Sequence, residues 1–258
     1  MWNIIRAQWY QLIRDRRVRG AFIVMLLFNA AIAFVNMDGY EEIKGGRFMA
    51  DLGGFFCVMG LVFMVVLTAF VMGTDFEDKT LYYEILAGHS RKEVFFGRFL
   101  VALCAGCLGA TVITFFCPLL LAGIYGWGDI PDMASVFLRY LLMLGVWLRI
   151  IGETALIAVA VKSPYATIFA GYIIGCVEFL LLMLKSLIPL DTFLQFLSVI
   201  QCMVLMQFES GQGTGDAAEQ ALWWDGLPGH QWIPIVVIGL AAAGTAAAYA
   251  YFKRDDLQ

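Results

Sequence analysis

The chain is 258 residues long, 61% apolar and 15% charged, with a mean hydropathy of +0.79; a soluble protein averages about 45–50% apolar and about 25% charged. That composition excludes a soluble globular domain and describes an integral membrane protein, in which about six spans of roughly 20 residues use most of the length and leave no room for a separate soluble domain. The formal net charge of −4 excludes little by itself, because the basic residues are unevenly placed and it is their placement that orients a membrane protein.

Residues 1–19 put Trp2, Ile5, Trp9, Leu12 and Ile13 on one helical face, with Arg6, Arg14 and Arg17 elsewhere. This is the pattern of a helix lying in the headgroup layer, tryptophans at the interface and arginines toward anionic lipid. A cleaved signal peptide is disfavoured by the long basic region and the lack of a small-residue cleavage site. The first span is read over 20–37, where Asn29 is expected to pair with a neighbouring helix or backbone. A short loop of mixed charge, 38–51, leads to a nearly uncharged second span over 52–73.

The polar stretch Thr74 to Arg98, TDFEDKTLYYEILAGHSRKEVFFGR, separates two strongly apolar runs. Asp75, Glu77 and Asp78 stand where a short helix would begin, and Arg91, Lys92 and Arg98 stand beyond its end, complementing the helix dipole. Leu81, Tyr82, Ile85 and Leu86 form one apolar stripe, and Gly88 is placed to stop the helix. Such an amphipathic helix suits docking into a groove on a soluble partner; the plainer alternative is an ordinary charged loop.

The third span, 99–125, is long enough to tilt or bend at Pro118, and its Ala102, Gly106 and Ala110 recur every four residues and permit close helix contact. A fourth span covers 137–161, Lys162-Ser163-Pro164 makes a sharp turn, and a fifth runs over 165–188 to Pro189. Within 189–232, an outer region, residues 190–208 carry Asp191, Gln195, Ser198 and Gln201 at helical spacing, which favours a re-entrant or interfacial helix over a further crossing. The sixth span is 233–252, Ala-rich and followed by Lys253 and Arg254.

The basic residues fix the orientation. With six spans and both termini cytoplasmic, the inner segments hold Arg6, Arg14, Arg16, Arg17, Arg19, Lys79, Arg91, Lys92, Arg98, Lys162, Lys253 and Arg254, whereas the outer loops hold only Lys44 and Arg47. Counting 190–208 as a seventh crossing would place Lys253 and Arg254 outside and break the positive-inside rule.

Four charges lie within spans four and five: Arg149, Glu153, Glu178 and Lys185. A charge at the bilayer centre costs about 2.5–3.5 kcal/mol on insertion scales and is normally paired or faces water. Arg149 and Glu153 can touch at i, i+4. Glu178 falls within a few ångströms of the same depth, roughly 15 Å below the outer surface against 18 Å for Arg149 at about 1.5 Å per residue. A cluster of Arg149, Glu153 and Glu178 is therefore expected, lining a transport route or locking spans four and five together, while Lys185 and Arg139 are expected to snorkel.

The six cysteines fall inside apolar runs without paired loop spacing, which argues against a disulfide framework or a zinc site; Cys104 and Cys107 read as buried small thiols. No GxxxxGK[ST] is present, so no nucleotide binds in the P-loop manner. His89 and His230 stand on opposite faces, which argues against a metal pair, and the topology accounts for the basic residues without nucleic acid.

The Thr74–Arg98 stretch resembles the cytoplasmic coupling segment of type-2 ABC transporter permeases, especially the small bacteriocin- and bacitracin-export kind. The resemblance rests on Asp75, Glu77, Lys79, Thr80, Ile85, Leu86, Gly88, Ser90, Arg91 and Arg98. It departs at Lys79, where the family pattern has Gly, and at Arg98, where it has Lys. The resemblance extends to the whole plan of interfacial helix, six spans, coupling helix between spans 2 and 3, and re-entrant helix before span 6. It implies a single permease domain over 1–258 in the cell membrane, no cofactor on this chain, and ATP and magnesium on a separate ATPase subunit. Two permease copies would join two ATPase copies through the coupling segment 75–92, with Glu77, Asp78, Thr80, Tyr82, Glu84, Ile85, Leu86 and Arg91 at the docking surface. Its cargo would be a peptide, an antibiotic or a lipid-like compound. An ATP-independent secondary transporter or channel using Glu153 and Glu178 is the alternative from another class; an intramembrane enzyme lacks paired catalytic residues at matching depth.

Overall fold

The computed structural model describes residues 2–37, 44–77, 80–128, 132–183, 197–205 and 233–254. Among them there are nine helices and no strand: α1 (Trp2–Arg14), α2 (Arg16–Met37), α3 (Gly45–Glu77), α4 (Thr80–Leu86), α5 (Arg91–Tyr125), α6 (Met133–Val161), α7 (Pro164–Met183), α8 (Ser198–Leu205) and α9 (Ile233–Arg254). Five of them, α2, α3, α5, α6 and α7, are long and apolar enough to cross a membrane. The chain is a multi-pass, all-helical membrane protein. The α9 helix has 22 residues, roughly 33 Å at 1.5 Å per residue.

The central helix is α3, which packs against α2, α5, α6, α7 and α8. Its sequence is apolar nearly all round, the signature of a helix buried on every side. Small residues let its neighbours approach. A methyl at Gly60 would meet Thr114 Oγ1 at 3.0 Å and the Ala110 methyl at 3.2 Å, and Gly109 of α5 lies against the ring of Phe63. The Ala102, Gly106 and Ala110 stripe of α5 is buried throughout, and Asn29 Nδ2 donates to the Ile113 carbonyl at 3.0 Å, the backbone pairing expected of it.

Contacts along the helices give their directions. Gly45 lies beside Ala122 while Gly106 lies beside Met64, so α3 and α5 are antiparallel; Gly73 meets Pro164 while Gly171 meets Val65, so α3 and α7 are too. Gly145 meets Val237 while Gly152 meets Ala241 and Thr245, so α6 and α9 run parallel. The described end of α7 and the start of α9 therefore lie toward the same face. The 8 described residues of α8 rise roughly 12 Å.

A methyl at Gly152 would meet Thr245 Oγ1 at 2.9 Å and the Ala241 carbonyl at 3.2 Å, whereas nothing lies within 4 Å of one at Gly175. Gly152→Leu is therefore expected to wedge α6 and α9 apart at a cost of about 1–3 kcal/mol, lowering the thermal midpoint of the detergent-purified protein, while Gly175→Leu leaves it unchanged. Equal midpoints for the two variants would contradict this seam.

Helix ends differ from the expected spans for identifiable reasons. The second span, read over 52–73, lies within a helix that begins at Gly45, where Gly45 N donates to the Gly126 carbonyl at 3.1 Å and Gly46 N to the Trp127 carbonyl at 2.8 Å. These bonds satisfy amides that a helix start leaves orphaned. The third span's helix starts at Arg91 rather than near Phe99 because Ser90 and Glu93 form a capping box. Residues 184–188 of the fifth span, Lys185 among them, lie outside the described residues, as does most of 189–232.

Candidate functional site

One face of the bundle gathers α1, the end of α3, all of α4, the start of α5, the α6–α7 turn and the end of α9. The α4 helix stops at Gly88, whose φ of +93° suits glycine. Gly88 N donates to the Ile85 carbonyl at 3.0 Å and His89 N to the Glu84 carbonyl at 3.2 Å, the two bonds of a Schellman ending. Directly after it, Ser90 Oγ accepts from Glu93 N at 3.3 Å and Ser90 N donates to Glu93 Oε2 at 3.2 Å. Two capping motifs back to back leave the link between α4 and α5 little freedom.

Beneath α4 lies a buried charged latch. Arg98 of α5 is 1% exposed; its Nε lies 3.0 Å from Asp75 Oδ2 and its Nη2 2.9 Å from Glu84 Oε2. The Asp75 carboxylate also accepts from Gln8 Nε2 of α1 at 3.1 Å and from Thr80 Oγ1 at 2.6 Å. One cation and one carboxylate thus connect α1, α3, α4 and α5. Buried charges persist only when paired and hydrogen-bonded, and one planar guanidinium can reach two carboxylates at once. A polar cavity of about 170 Å³ opens beside the latch, lined in part by Gln11, Asp15 and Thr74. On α1 the residues packed inward are Ile4 and Gln8, and Ile4 reaches α5 because Gly97 leaves room for it; Trp2 and Ile13 of the expected apolar face are exposed.

The residues expected at a docking surface separate into distinct groups. Leu86 is 81% exposed and Tyr83 is 71% exposed, while Glu77 is exposed at the end of α3. Ile85 packs against the core, so it does not stand out from α4 with Leu86. Thr80 and Glu84 turn inward to the latch. Arg91 Nη1 donates to the Lys253 carbonyl at 2.9 Å, tying the start of α5 to the end of α9. Asp78 and the side chain of Tyr82 lie outside the described residues. Sequence reasoning missed Tyr83, one position from the stripe it counted, and missed the inward role of Arg98; the capping box was legible as Ser90-Arg91-Lys92-Glu93.

The intramembrane charges form two sites rather than one triad. Arg149 Nε donates to Glu153 Oε1 at 2.7 Å, the i, i+4 contact. Glu178 instead turns to α8, accepting from Ser198 Oγ at 3.0 Å and Val199 N at 2.8 Å. A carboxylate at a helix start satisfies orphan amides and complements the dipole. At the other end, Arg139 of α6 is buried, and its Nη1 donates to the Leu205 carbonyl at 3.4 Å. Arg139 was expected to snorkel; instead it is buried against α8. Thus α8 is held at its acid-capped start by α7 and at Leu205 by Arg139 of α6.

Cys57, Cys117 and Cys202 are buried and free, as expected of apolar thiols, whereas Cys104 and Cys176 are free and exposed on the helix surfaces. Among the described residues no group of histidine, cysteine and carboxylate side chains could hold a metal ion. Comparison of the sequence with protein-family models and with curated proteins finds no match.

Proposed function

We propose that the chain is the membrane-spanning permease subunit of an ATP-driven ABC exporter, and that it docks a separate ATPase subunit through α4. The observation that carries this reading is a short helix with Tyr83 and Leu86 exposed, set at the end of one long apolar helix and the start of the next and fastened to both through Arg98. An apolar side chain standing out on a rigid mount is suited to a groove in a soluble partner. Motion of that partner would reach α3 and α5 directly, because the latch joins them to α4.

In this reading α9 is the sixth span, both termini are cytoplasmic, α1 lies in the inner headgroup layer, and α8 is a re-entrant helix on the outer side. The parallel packing of α6 and α9 supports it, since an even number of passes then separates the termini. The basic residues support the orientation. A second permease copy would complete the substrate route, with a peptide, an antibiotic or a lipid-like compound as cargo. The alternative, an ATP-independent carrier using Glu153 and Glu178, has less support, because Glu178 is occupied in capping α8.

The test is co-purification. Wild-type chain should bring down a Walker-motif ATPase expressed beside it, and Leu86→Asp with Tyr83→Asp should reduce the recovered ATPase about tenfold or more, the loss of two apolar anchors, with an unchanged thermal midpoint. Recovery of the ATPase at the wild-type level by that variant would sink the docking role of α4. Ile85→Asp would be uninformative, since Ile85 is part of the packing.

A further inference from the structure

An apolar groove of about 450 Å³ runs along the outside of the bundle between α5, α6 and α9, lined by Phe96 and Phe99, by Leu148, and by Ile238, Ala246 and Tyr249. Of its two hydroxyls, that of Thr245 is already bonded to the Ala241 carbonyl at 2.8 Å, and the other is the phenol of Tyr249, one helical turn before Lys253. From Ile238 to Tyr249 the groove follows α9 for roughly 16 Å at 1.5 Å per residue, about half of a ~30 Å hydrocarbon core. That is the depth of one leaflet.

The mouth of the groove is cationic. Lys92 precedes Phe96 by one helical turn on α5, and Lys253 follows Tyr249 by one turn on α9, so each basic residue continues a wall of the groove toward the membrane surface. Arg254 is adjacent. Lys92, Lys253 and Arg254 are all exposed, and none has an ion-pair partner among the described residues. The bond from Arg91 to the Lys253 carbonyl and the 5.3 Å contact of the Phe96 and Tyr249 rings fix the two walls against each other at this end. Asp255 and Asp256, next in sequence, lie outside the described residues.

We propose that this groove holds one acyl chain of an anionic phospholipid, with the phosphate at Lys92, Lys253 and Arg254. The charge of the mouth selects the headgroup, and the length of the groove selects a single chain. The leaflet is the one facing α1 and α4, which is the inner leaflet on the orientation proposed above; the site itself does not depend on an ATPase partner.

Native mass spectrometry of the full-length protein released from bilayers of equal phosphatidylglycerol and phosphatidylcholine tests it. Phosphatidylglycerol should be retained over phosphatidylcholine by about tenfold or more. Lys92→Ala with Lys253→Ala should bring that ratio near parity, and Ala246→Trp, which fills the groove from its membrane side, should lower retention of both lipids. Ala242→Leu serves the same purpose with a smaller side chain should the tryptophan variant fail to fold. Equal retention of the two lipids by wild type, or wild-type retention by both groove-filling variants, overturns the proposal. So does a dimer that carries no lipid and is lost on filling the groove, since a second copy would then be the occupant. Leu86→Asp should leave lipid retention unchanged, which separates failure of this site from failure of the ATPase docking.

Discussion

Arg98→Ala is expected to destabilise the protein by about 3–5 kcal/mol, the usual cost of removing one partner of a buried ion pair. The side chain is 1% exposed and serves Asp75 and Glu84 together. Without it the Asp75 carboxylate keeps Gln8 and Thr80 as donors but loses its counter-charge. Glu84, being partly exposed, can turn to water, so most of the cost falls on Asp75. Arg98→Lys is expected to be intermediate, because an ammonium is a point charge that cannot present two guanidinium edges to two carboxylates. Denaturation of the detergent-purified variants measures the loss, and limited proteolysis should cut the segment between α3 and α5 faster in Arg98→Ala. A midpoint within error of wild type, with no faster cleavage, would show that the latch does not hold α4.

Glu178→Ala is expected to release α8. It leaves the Ser198 hydroxyl and the Val199 amide buried without an acceptor, at about 1–3 kcal/mol for each group, and removes the charge that favours the helix start. Cys202 of α8 is fully buried, so its rate of alkylation reports the release. In a background lacking the exposed Cys104 and Cys176, Glu178→Ala should label at Cys202 many times faster than wild type. Glu178→Gln retains an oxygen acceptor and should label more slowly than Glu178→Ala. If the proposed permease role holds, Glu178→Gln also reduces transport while the complex still assembles. Labelling of Glu178→Ala at the wild-type rate would mean that α8 is held by its packing alone.

Much of the fold was legible because the bilayer imposes it: long apolar runs become helices, and their lengths and order follow from hydropathy. The Ala102, Gly106, Ala110 stripe and Gly88 were also readable, since spacing alone places small residues on one face and a glycine at a helix end. What was not readable is which polar side chains turn inward. Glu84 and Leu86 are two positions apart, yet one serves the latch and the other is exposed, and only the docking of α4 on α5 decides between them. Likewise Arg149 and Glu178 fall at similar depth, but depth says nothing of the azimuth that points Glu178 at α8. Arg139 read as a residue that would snorkel because the spacing over 190–208 gives a helix there but not that it packs against α6.

The central claim, that α4 is the surface through which an ATPase moves the spans, is tested most directly by a single cysteine at Leu86 in an otherwise cysteine-free chain. With a membrane-impermeant thiol reagent, Leu86→Cys is expected to label in inverted vesicles and not in right-side-out ones. Co-expression of the ATPase should protect it. Labelling from the outer side, or equal labelling of inverted vesicles with and without the ATPase, would contradict the account.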